Sequence, residues 1–166
     1  MVVFGEGPAN ADVLFIGEAP GRNEDESGKP FCGRSGALLD TLLHGVGISR
    51  EEVFITSIVK CRPPANRDPK AVEIEACSGW LELQVDLIAP KVICTLGNFA
   101  LHSIRGDKTG ITQLHGKIEE IHYRQREVKL LPLFHPAAAL RSTRTKALLA
   151  ADLEQLSEIV RADSSA

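Results

Sequence analysis

No stretch of this sequence stays apolar long enough to cross a bilayer as a helix. The N-terminus, Met1-Val2-Val3-Phe4-Gly5, lacks the basic flank and small-residue cleavage site of a signal peptide. An intracellular, cytoplasmic protein without a membrane partner is the expectation. Net positive charge is also missing: 19 Lys and Arg stand against 22 Asp and Glu, a balance of −3. That argues against a generic cationic coat for nucleic acid. It leaves room for local phosphate contacts, and basic residues do bunch at Lys60, Arg62 and Arg67 and at Arg141, Arg144 and Lys146. Internal repeats and low-complexity tracts are absent. Gly17 to Gly21 spells neither GxGxxG nor a P-loop, which disfavours a nucleotide cradle of those types. There is no CxxC pair either. The four cysteines are scattered, and Cys61 and Cys77 have fifteen residues between them, a weak metal signal. Disulfides are rare inside cells, and Cys94, in the run Val92 to Leu96, reads as a small hydrophobe in a buried strand.

What is present fits one domain. The chain has 166 residues, 43% of them hydrophobic, enough for a full core. Asp12 to Ile16 reads as a buried strand. From Ser35 a helix begins, with Leu38, Leu39, Leu42, Leu43 and Val46 at helical spacing and Gly45 and Gly47 to stop it. Ser49-Arg50-Glu51-Glu52 looks like a capping box on one short turn. Val53 to Val59 is a second strand, rich in β-branched residues. Asp68 and Pro69 are expected to start a helix that buries Val72, Ala76, Trp80, Leu83 and Leu87 on one stripe. Lys91 to Leu96 is a third strand, and Phe99 to Ile104 a short helix. Ile111 to Tyr123 is expected as an edge hairpin or irregular strand, and Val128 to Phe134 as a further strand. Ala147 to Val160 closes the chain as a helix, and residues 161–166 are expected to fray. Strands alternating with helices predict an α/β fold, a three-layer α/β/α sandwich with a short, mainly parallel central sheet.

Open α/β sheets take ligands at the C-terminal ends of their strands. Four loops follow strands: Gly17 to Gly33, Ser57 to Arg67, Gly97-Asn98, and His135 to Arg144. Five motifs lie in them, in order: Gly17-Glu18-Ala19-Pro20-Gly21; Glu24-Asp25; Gly28-x-Pro30-Phe31-x-Gly33-Arg34-Ser35-Gly36; Lys60-Cys61-Arg62-Pro63-Pro64-x-Asn66-Arg67; and His135-Pro136. Together, over nearly the whole chain, they resemble the family 4 uracil-DNA glycosylases, which are DNA repair hydrolases; a monomer is expected.

The resemblance implies an enzyme that flips uracil out of DNA and hydrolyses its N-glycosidic bond, leaving an abasic site. It implies that Phe31 stacks on the base and that His135 donates to the leaving group's carbonyl oxygen, where charge develops. Glu18 and Asn66 become candidates for positioning water, and Ala19 stands where other families of the superfamily have an aspartate. Ala19, Gly21, Glu24, Phe31 and Ser57 form the substrate set, with Glu24 a guard against the thymine methyl. Arg34, Ser35, Gly97 and Asn98 are candidates for DNA backbone contacts through helix N-termini. Leu140 and Arg141 are candidates for a wedge in the gap left by the base. His44, His102, His115 and His122 lack such context and read as surface or structural residues.

Two departures stand out. Ser57 replaces an asparagine whose amide reads uracil. A serine offers one hydroxyl, and each buried group left unsatisfied costs on the order of 1–3 kcal/mol. Hypoxanthine, or lesion binding without turnover, therefore stays open as an alternative. The resemblance also implies a [4Fe–4S] cluster on four cysteines. Cys61 and Cys77 match two of its ligands, and the other two, a CxxC pair, are absent from this sequence. His115 is a lesser departure, at a position where arginine is expected before Gly116.

Overall fold

A computed structural model describes residues 1–164. Its centre is a five-stranded sheet in the order β2-β1-β3-β5-β4. The strands are β1 (Val13–Gly17), β2 (Phe54–Ser57), β3 (Val92–Leu96), β4 (Glu119–Tyr123) and β5 (Arg126–Leu133). β1, β2, β3 and β5 run parallel, and only β4 runs antiparallel, at the edge. Every residue of β1 and of β3 is buried, as expected of parallel strands covered on both faces.

The helices are α1 (Arg22–Ser27), α2 (Arg34–Gly45), α3 (Ala71–Ile88), α4 (Asn98–Arg105), α5 (Ile111–Leu114), α6 (Pro136–Arg141) and α7 (Thr143–Ser164). Alternate strand residues face opposite layers. Phe15, Cys94 and Leu131 pack with Leu39 and Leu43 of α2 and Leu153 of α7. Leu14, Ile93 and Leu130 pack with Leu81 of α3, Leu101 of α4 and Leu114 of α5. This is the expected three-layer sandwich. From β1 the chain steps to β2 on one side and then to β3 on the other. The crevice at the C-terminal ends of β1 and β3 is therefore a topological switch point.

Several details differ from the sequence reading. The stripe expected inside α3 faces outward: Val72 is 68% exposed, Trp80 54% and Leu87 72%. The helix carries a second apolar stripe, Ile74, Cys77, Leu81, Val85 and Ile88, and that one meets the sheet. Periodicity shows that stripes exist but cannot say which of two lies inward. α3 also starts later than expected, at Ala71, where the Glu73 carboxylate accepts from Lys70 N at 2.8 Å. Ile111 to Tyr123 divides into the turn of helix α5 and the edge strand β4. The loop after His135 is mostly helix, α6, and α1 was not foreseen. α7 runs through Ser164, and residues 165–166 of the tail expected to fray lie outside the described part. The capping box is present as expected, on the 3₁₀ turn Arg50–Glu52. Ahead of β1, the first residues pair beside β2, with Glu6 bridging Ile55 and Val3 N donating to Lys60 O at 2.7 Å.

Candidate active site

Four segments converge at the switch point. The parallel register sets Gly17, the last residue of β1, opposite Ser57, the last residue of β2. A Cβ on Gly17 would lie 2.7 Å from two ring atoms of Phe31 and 3.4 Å from Ser57 Oγ. Only a residue without a side chain lets ring and hydroxyl approach β1 together. Phe31 is 7% exposed, and its ring centroid is 5.6 Å from that of His135. His135 follows β5 and also touches the α4 entrance, where a Cβ on Gly97 would sit 3.3 Å from its Cβ. Phe31, Ser57 and His135, spread over more than a hundred residues of sequence, thus meet at the end of β1.

His135 caps α6, and its Nδ1 accepts from Ala137 N at 3.0 Å. A ring nitrogen that accepts from an amide carries no proton. The proton of the neutral ring is then on Nε2, which makes Nε2 a donor. Burial pushes the imidazole down to about 4, so the ring stays neutral at physiological pH.

Ser57 is buried, and its carbonyl is fixed by Lys60. Lys60 Nζ donates to Ser57 O at 2.7 Å, to Thr56 Oγ1 at 2.6 Å and to Gln84 Oε1 at 2.6 Å. With no carboxylate among these partners, burial lowers the ammonium to about 8. Glu18 is half-buried, and its carbonyl accepts from Val59 N at 3.1 Å. Burial raises its carboxyl pKa, and the like charge of Asp68 adds to the rise. Ala19 is half-buried against the α3 layer. Gly21 caps α1, and the Glu24 carboxylate sits 3.7 Å from where a Cβ on Gly21 would be.

Other candidates stand further out. Asn66 is exposed, and its Oδ1 accepts from Arg62 Nε at 2.6 Å. Its acceptor is thereby engaged, leaving its amide hydrogens as donors. Asn98 Oδ1 accepts from Ile111 N at 2.8 Å, which makes this side chain a cap for α5 as well as a candidate for DNA contact. Arg34 is exposed and Ser35 half-buried at the start of α2, and Leu140 and Arg141 are exposed on α6. His115 has a structural partner: Nδ1 lies 2.8 Å from Asp152 Oδ2.

The cysteines do not assemble a cluster site. Cys61 is exposed, and Cys77 Sγ accepts from Lys60 N at 3.5 Å, so both lie at one corner of the fold. Cys94 is wholly buried in β3, where burial pushes its thiol pKa up. Cys32 lies beside Ser27. Among the described residues no group of three or more His, Cys, Asp or Glu is placed to hold a metal ion. Two thiols do not fit a four-thiolate cluster.

Sequence reasoning missed Lys60 and Arg50 as parts of this site. Lys60 opens the fourth motif but carries no role in the sequence reading, and Arg50 is there only a member of the capping box. Arg50 reaches back nineteen residues to Phe31, and Lys60 is buried by folding against Gln84 of α3 as well as the nearby Thr56 and Ser57.

Comparisons with known proteins point to one family. The Uracil DNA glycosylase superfamily profile matches residues 4–157. The chain is 43% identical over 162 residues to a type-4 uracil-DNA glycosylase of Sulfurisphaera tokodaii, covering 95% of this chain and 74% of that one. It is 40% identical to a type-4 uracil-DNA glycosylase of Archaeoglobus fulgidus, covering 95% and 81%. It is also 40% identical to one of Thermotoga maritima, covering 96% and 83%.

Proposed function

The chain belongs to the uracil-DNA glycosylase superfamily, and on that premise we propose that it excises uracil from DNA through the Phe31–His135 pocket. It is a glycosidase of base excision repair. The observation that carries the mechanism is the neutral His135, with Nδ1 tied to Ala137 N and Nε2 left as a donor.

Uracil swings out of the stack and lies on the Phe31 ring. The N-glycosidic bond breaks with its electron pair going to the base, so negative charge collects on the carbonyl oxygen facing His135. A preorganised donor in a dry site stabilises that charge more than water does. A neutral donor does so without transferring its proton. Water attacks C1′ of the sugar and loses one proton, and the departing uracil anion takes one up. Glu18, half-buried beside this pocket, is the candidate to position that water. Ser57 Oγ offers one hydrogen bond to the base edge. Arg34, Ser35, Gly97, Asn98, Leu140 and Arg141 are the candidates to hold the DNA, and Asn66 offers its amide hydrogens as donors. The reading takes a single chain as the active unit. Among the described residues no helix is long and apolar enough to cross a membrane.

No step runs through an iron–sulfur cluster. Cys61 and Cys77 would hold one only with two further thiolates.

The test is incubation with labelled DNA carrying a single uracil or a single hypoxanthine, followed by alkaline cleavage, with His135→Ala alongside. Cleavage at uracil that His135→Ala loses is the expected result. The names of the relatives favour uracil over the alternatives that Ser57 left open. Cleavage at hypoxanthine alone, or binding without cleavage, would overturn the reading.

A further inference from the structure

Phe31 stands in a backbone conformation that bulky residues avoid. Its φ is +47°, in the left-handed region. The surroundings must hold it there, and one side chain bonds both carbonyls of the turn. Arg50 Nη1 donates to the Phe31 carbonyl at 2.6 Å, and Nη2 donates to the Pro30 carbonyl. The same guanidinium is held by Asp40, with Nη1 3.0 Å from Oδ1. Arg50 comes from the 3₁₀ turn before β2, and Asp40 from α2. Gly36, in the first turn of α2, completes the clamp, because a Cβ there would occupy the space of the Phe31 carbonyl.

We infer that Arg50 is a positioning residue for base excision. It locks the Pro30–Phe31 turn so that the ring rests on Gly17 beside His135 before a base arrives. The inference rests on the reading of Phe31 as the platform for the flipped base. A planar fork can hold two consecutive carbonyls and a carboxylate at once, and its charge strengthens each bond. A lysine ammonium on a flexible stem cannot reproduce that geometry. With the fork removed, the left-handed turn relaxes and the platform moves with it. Misplacing a group by an ångström at a reacting centre slows catalysis steeply.

The test is single-turnover excision of uracil by the full chain as wild type, Arg50→Lys, Phe31→Leu and the double variant. Inhibition by free uracil and the denaturation midpoint are measured on each. We expect Arg50→Lys to slow excision about tenfold, an effect of displacement rather than removal. It should weaken inhibition by free uracil and leave the KM for DNA and the midpoint near wild type. In the Phe31→Leu background the same substitution should change little further, because two residues acting through one another are not additive. Asp40→Asn should give a smaller loss in the same direction, and it replaces Arg50→Lys in the cycle if that variant fails to fold. Wild-type excision by Arg50→Lys, or losses that simply multiply in the double variant, would overturn the inference alone. Wild-type excision by Phe31→Leu would instead remove the platform, and the inference with it.

Discussion

His135→Asn separates the two things His135 does. Asparagine is a preferred N-cap residue, so it can still accept the Ala137 amide that now bonds to Nδ1 at 3.0 Å. It has no group that titrates and no Nε2 donor. In the folded protein the imidazole sits at about 4, against an ordinary value of 6.5, because burial disfavours its charge. The unfolded chain therefore binds a proton between those values and the native state does not. Stability is complete above 6.5 and is lost as pH falls towards 4. At 1.36 kcal/mol per pH unit the full loss is about 3 kcal/mol, and at about pH 5 it is about 2 kcal/mol.

The assay is urea denaturation of wild type and His135→Asn at about pH 7.5 and about pH 5. Stabilities fall linearly with urea at roughly 1–3 kcal/mol per molar. The wild-type midpoint should therefore drop by about 1 M more than that of the variant. Every other ionisable group is common to the two proteins, so the remaining contributions cancel in the difference. The same variant should excise uracil on the order of a hundredfold to a thousandfold more slowly at neutral pH, the usual cost of losing a preorganised donor. Equal pH losses in the two proteins would show that His135 is not held neutral. Undiminished excision by the variant would remove it as the leaving-group donor.

Two other perturbations probe the strand end at Ser57. Ser57→Asn should restore an amide that can both donate and accept at the base edge, and each satisfied group is worth on the order of 1–3 kcal/mol. Excision of uracil should rise by at least about tenfold relative to wild type in single-turnover assays, and a slower variant would show that the pocket has no room for the amide. Lys60→Met removes a buried ammonium that sits at about 8 when folded, against 10.5. Because the folded value is the lower one, the wild type should gain stability as pH rises between them, by about 3 kcal/mol in all. Lys60→Met should lack that gain in paired denaturation curves at about pH 7 and about pH 10, and parallel curves would refute the assignment of the buried charge.

Much of this was legible because the local chemistry is strong. The all-apolar run of β1 and the β-branched run of β2 identify themselves. So do the glycine stops after α2 and the capping box at Ser49. Strand–helix alternation then leaves little choice of architecture. The motif residues Gly17, Phe31, Ser57 and His135 were identified in sequence, and the fold brings all four to one crevice. Reading failed where two local answers were equally good. α3 offers two apolar stripes, and the stripe of Val72, Trp80 and Leu87 is as periodic as the one that meets the sheet. The same holds for the segment from Ile111, whose short apolar pieces suit a helical turn or a strand.

By itself, the sequence determined most of the element types, the parallel sheet and the candidate residues for the chemistry. Those properties belong to single side chains and to spacings of two to four residues. Only the tertiary structure decided that His135 is a neutral donor, because its protonation state depends on burial and on the amide of Ala137. Only the tertiary structure showed Lys60 bonded to the carbonyl of Ser57, and Arg50 to the left-handed turn at Phe31. Charge, desolvation and hydrogen-bond geometry act through space, and the partners they join are set by how the layers pack.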